Sequence, residues 1–128
     1  MALGTNFLSL ISYYAASPLN WLSVFFSEDH VREAMTFILA AKIGFAGAFF
    51  SCFLRYTYRR RDFSICVFST MFALCSYVLG YYWNVMWFDT VALFPLVMMG
   101  IVALCREGKW KTYTLALALS LAANYYIG

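Results

Sequence analysis

Charge, histidine and proline are scarce in this sequence, and each shortage removes a class of function. Only 12% of the 128 residues are charged and the net charge is +3, where soluble domains carry about 25% charge. Nucleic-acid binders present a basic face to water, whereas the longest polar stretch here is the loop at residues 55–62, so no nucleic-acid partner is expected. A single histidine, His30, excludes a bis-histidine haem in one copy and leaves too few ligands for a metal centre. There is no glycine-rich phosphate loop, and the apolar runs hold no paired carboxylates and no nucleophile beside a base. The chain is therefore expected to be noncatalytic, with no cofactor indicated beyond bound lipid. No Lys or Arg precedes Arg32, so the basic start of a secretory signal is missing and the first hydrophobic segment is expected to stay on the protein. Cys52, Cys66, Cys75 and Cys105 form no C-x-x-C pair and read as small buried hydrophobes.

What is abundant is apolar surface. Hydrophobic residues make up 64% of the chain and the mean hydropathy is +0.73. A soluble globule of this size would leave much of that surface in water, while a bilayer accepts it. The expected fold is all-α, one integral membrane bundle without a soluble domain. A hydrocarbon core about 30 Å thick asks for about 20 apolar residues per helix. Charged and turn residues divide the chain into segments at about 5–27, 31–56, 63–87, 90–105 and 111–127. Pro18 breaks the first, which is either a kinked span or two interfacial pieces, so the count is four or five. The last two, at about 16 residues or about 24 Å, are short for a full span.

Orientation follows from Lys and Arg. The loops at 55–62 and 106–111 hold Arg55, Arg59, Arg60, Arg61, Arg106, Lys109 and Lys111, which serve as topology signals or as lipid-headgroup contacts. Both loops lie on one side if the helices between them form a hairpin. The positive-inside rule assigns that side to the cytoplasm or its equivalent, and the C-terminus to the opposite side. Trp and Tyr collect at headgroup level: Trp21, Tyr81, Tyr82, Trp83, Trp87, Tyr125 and Tyr126 fall at the outer level, and Tyr56, Tyr58, Trp110 and Tyr113 at the inner.

Lys42 is the most informative residue. It sits about eight residues, or about 12 Å, below the outer end of its helix, and a charge at that depth marks a functional or pairing site unless it snorkels to the surface. Asp89 and Glu33 are the nearest partners by depth. On the same helix Ala40, Gly44 and Ala48 recur every four residues, with Gly47 and Ser51 on an adjacent stripe; small residues at this spacing let membrane helices approach closely, within the bundle or between subunits. Glu28, Asp29, Glu33 and Asp89 read as hydrated or helix-capping acids. Pro95 and Gly100 interrupt the fourth segment, as in some transporter helices and in many ordinary ones.

The stretch from Phe53 to Arg61, an apolar helix ending in a basic turn and followed by a hairpin, resembles small phage holins, which implies a self-associating pore. The final third, Asp89 to Gly128, is similar in helix–turn–helix spacing to small sugar-transporter-like proteins, which implies an oligomeric transporter or channel. Neither motif specifies a family. The absence of soluble mass, the lack of catalytic groups, the small-residue face and the short helices favour a third expectation: a structural or accessory subunit that works with other membrane subunits.

Overall fold

The computed structural model describes residue 20 and residues 30–123. The expectations for segment 5–27, the acids Glu28 and Asp29, and the final residues 124–128 lie outside the described residues. What is described is a bundle of α-helices, and three of its helical stretches are long and apolar enough to cross a membrane: Arg32–Tyr58, Phe63–Tyr81 and Phe88–Glu107.

The first helix, α1 (Val31–Tyr58), begins after His30 and runs 28 residues without proline or a terminal break. It ends at Arg59, which adopts the left-handed conformation (φ 54°) and donates its backbone N–H to the Arg55 carbonyl. The return begins with α2 (Phe63–Ala73). The single helix expected over 63–87 is not formed. It stops at Leu74, Cys75 becomes extended (ψ 163°), and a short α3 (Ser76–Tyr81) follows. Residues 70–76 contain neither proline nor glycine. The one local contributor is Thr70, whose hydroxyl donates to the Cys66 carbonyl at 2.9 Å, a back-bond that bends helices. The broken backbone stays satisfied in the apolar layer because Leu74 N–H reaches Thr70 O at 2.9 Å and Cys75 N–H reaches Phe72 O at 3.3 Å.

A 3₁₀ turn (Val85–Trp87) leads into α4 (Phe88–Glu107), 20 residues long with Pro95 buried inside it. The expected short span at 90–105 is thus longer at both ends: Phe88 and Asp89 form its first turn rather than a connection, and Arg106 and Glu107 its last. At about 30 Å it crosses a hydrocarbon core. Gly108 (φ 67°) ends it, with N–H groups closing back onto Ala103 and Leu104, the ordinary use of glycine at a helix C-terminus. The last described helix, α5 (Trp110–Ala123), has 14 residues, about 21 Å.

α1 is the centre of the bundle, with α2 on one side and α4 on another, while α5 packs on α4. α1 and α4 run parallel, because residues 42 and 89 meet near one end and residues 56–57 and 106–107 near the other. Tyr56 donates its hydroxyl to Glu107 at 2.8 Å, and Arg106 donates to the Thr57 carbonyl at 2.8 Å. The two basic loops therefore occupy one end. At the other end Tyr77, Tyr81, Trp83 and Trp87 form a ring cluster with centroids 5.1–6.4 Å apart. The cysteines depart from expectation: Cys52, Cys66 and Cys105 are exposed, and Cys75 is half-buried. In a bilayer, lipid is as apolar as the interior, so hydrophobicity does not draw a residue inward.

Candidate functional site

Lys42 does not snorkel. Its side chain is wholly buried between α1 and α4, and the ammonium donates to Asp89 Oδ2 at 2.8 Å and to the Val85 carbonyl at 3.0 Å. The 3₁₀ turn explains the second contact, since it presents a carbonyl just before α4. Asp89 lies in the first turn of α4, where the positive end of the helix dipole favours a carboxylate. Phe88, next to Asp89 in sequence, and Ile38, one helical turn before Lys42, are each 1% exposed. Removed from water, the two charges attract through a low local dielectric, which offsets part of the cost of burying them. Of the expected acidic outer group, Asp89 is thus a buried counterion. Glu33 stays exposed and approaches His30 Nδ1 at 3.7 Å. Among the described residues no three His, Cys, Asp or Glu side chains converge on a common point.

The buried stripe of α1 is Ala34, Ile38, Lys42 and Ala46, spaced four residues apart, and Lys42 joins it to α4. Ala40, Gly44 and Ala48, the stripe expected to pack, are offset by two residues, or about 200° around the helix, and are exposed. A side chain at Gly44 would meet open space. Internal packing of that stripe is therefore corrected: within the described bundle nothing covers it. Gly47 does pack, because a Cβ there would lie 3.2 Å from the Ala73 Cβ of α2. Ser51 is half-buried and spends its hydroxyl on the Ala48 carbonyl at 2.9 Å.

Gly44, Gly47, Ala48 and Ser51 form one wall of a groove of about 740 Å³, and Ser69 and Ala73 of α2 form part of the other. Ser69 is 7% exposed, and its hydroxyl has no hydrogen-bond partner among the described residues. Such a group is costly in an apolar layer. Sequence spacing could not reveal it, since a serine in an apolar helix ordinarily bonds to its own backbone.

At the basic end, Arg55, Arg59, Arg60 and Arg61 line a second cleft, of about 450 Å³, with Cys52, Tyr56 and Met99. Arg106 is engaged by Thr57. Lys109 pairs with Glu107 at 2.6 Å, which holds the lysine pKa above its ordinary value. Lys111 is exposed. Pro95 and Gly100 are both buried, Gly100 against Tyr113 of α5.

The full length, residues 1–128, matches the family described as bacterial membrane protein YfhO. No curated protein and no solved structure matches the chain.

Proposed function

Because the chain belongs to the family of the bacterial membrane protein YfhO, we propose that it acts within the bilayer as a noncatalytic helical module that packs laterally against further transmembrane helices of a larger membrane assembly. The observation that supports this is the groove along α1 and α2. Its small residues Gly44 and Ala48 face outward, the arrangement through which membrane helices associate by close backbone contact. The 14-residue α5 likewise benefits from neighbours or a thinned bilayer. By the positive-inside rule, the end carrying Arg55, Arg59, Arg60, Arg61, Arg106, Lys109 and Lys111 faces the cytoplasm.

Mild detergent extraction from the native membrane followed by mass measurement tests the reading. The chain is expected to leave the membrane together with other transmembrane helices. Gly44→Leu and Ala48→Leu are expected to strip that association by about tenfold or more, since each leucine fills the groove and forces the backbones apart. A lone chain, a homo-oligomer, or an assembly indifferent to both substitutions sinks the proposal.

A further inference from the structure

The cleft at the basic end has a cationic mouth and an apolar floor, and this combination identifies what fits it. Cys52, Arg55, Tyr56 and Arg59 follow one another at helical spacing on one face of α1, so the floor at Cys52 lies about 10 Å along the axis from Arg59. Met99 of α4 completes that floor. The contacts of Tyr56 with Glu107 and of Arg106 with Thr57 hold the two helices together beside it. Arg55, Arg59 and Arg61 have no carboxylate within ion-pair distance among the described residues, while Arg60 reaches Asp62 only at 4.0 Å. Three arginines thus line the cleft without a direct ion pair among the described residues, and Glu107 feels the Arg59 charge only from a distance.

Arg59 adds an independent sign. Its φ of 54° puts an arginine at a helix C-terminus where glycine or asparagine is the ordinary residue. A side chain kept at the expense of backbone comfort points to a use for that side chain.

We propose that this cleft binds the headgroup of an anionic phospholipid. The phosphate sits among Arg55, Arg59 and Arg61, whose planar donors suit a bidentate contact with phosphate oxygens, and the start of an acyl chain lies against Cys52 and Met99. A free phosphate ion shares the chemistry of the mouth and has no use for the apolar floor about 10 Å deep.

The test uses the whole protein in nanodiscs of mixed phosphatidylglycerol and phosphatidylcholine, with native mass spectrometry reading the lipid that stays bound. The expected result is a retained phosphatidylglycerol adduct that falls by about tenfold in an Arg59→Gly/Arg61→Gln variant. Glycine suits the left-handed position, so this variant keeps the helix end intact. Lys111→Gln, which removes a charge from the same end outside the cleft, is expected to leave the adduct unchanged. An adduct equally weakened by Lys111→Gln means diffuse attraction to basic charge and overturns the site, as does an adduct that survives in the double variant. Displacement of the lipid by millimolar inorganic phosphate assigns the mouth to a free anion and overturns the lipid.

Discussion

Replacing Asp89 with alanine is expected to destabilise the bundle by about 3–5 kcal/mol, the loss that follows when one member of a buried ion pair is removed and the other stays charged. The Lys42 ammonium, itself wholly buried, would keep only the Val85 carbonyl at 3.0 Å. Two escapes exist. It can lose its proton, or its helix can move until the stem reaches the interface; the second dismantles the contact between α1 and α4. Insertion scales put a single lysine at mid-membrane at about 2.5–3.5 kcal/mol, and Lys42, nearer one end, would cost less than that by burial alone. Lys42→Met alone leaves the carboxylate stranded and is expected to cost a similar amount. The double variant Lys42→Met/Asp89→Ala removes both charges and is expected to return most of the loss, to within about 1–2 kcal/mol of the parent, because an apolar replacement for a buried pair is often close to neutral. Denaturant unfolding in detergent, followed by the fluorescence of Trp83 and Trp87 near the pair, gives the cycle. If the double variant loses the sum of the two single losses, the two charges act independently and the pair does not join the helices.

This pair also marks the limit of what the sequence discloses. Lys42 at membrane depth stands out from composition alone, and its depth narrows the partner to Asp89 or Glu33. The place of Asp89 does not follow, because an acid after an aromatic run looks like a turn residue until its counterion is known. Reading it as a turn shortened α4 from 20 residues to about 16. The buried face of α1 is hidden from the sequence for a related reason. Ala40, Gly44 and Ala48 carry the recognised small-residue pattern, yet the stripe buried on α1 holds Ile38 and Lys42 between its alanines. In water, hydrophobicity would separate the two faces; in lipid both are apolar, and the inside is known only from contacts. Cys52, Cys66 and Cys105 on the outer surface follow the same physics. The break at Leu74 and Cys75 has no proline or glycine to announce it, and the hydroxyl of Ser69 is unpaired only because α1 and α2 meet as they do. By contrast, the loops at 55–62 and 106–111 were legible as one end of the bundle, because the hairpin between them follows from two helix-length returns.

Among the described glycines the tightest approach is between α4 and α5, at Gly100. A Cβ at Gly100 would lie 2.5 Å from Tyr113 Cα and 2.8 Å from Tyr113 N. These are backbone atoms, so no rotamer change relieves the collision. Reaching an ordinary carbon contact requires α5 to retreat by roughly 1 Å or more. Small residues continue the seam, with Ala92 and Ala103 buried on α4 and Ala116, Ser120 and Ala123 buried on α5, and such surfaces lose most of their dispersion contact when separated by that distance. Gly100→Ala is expected to cost about 1–3 kcal/mol, in spite of the better helix propensity of alanine, and Gly100→Leu to detach α5. Gly44→Ala is the control: with open space at that position, it is expected to hold or slightly raise the stability of the isolated chain. The readout is a Ser120→Cys reporter in a background whose four native cysteines are replaced, treated with a membrane-permeant maleimide. In the parent, Ser120 is 4% exposed and the reporter is expected to react slowly; Gly100→Leu should speed its labelling by about tenfold or more, in line with the opening of a contact worth over about 1.4 kcal/mol. Equal labelling with and without the leucine would mean that α5 does not depend on the close approach at Gly100, and the seam would have to be held from the Ala116 to Ala123 end alone.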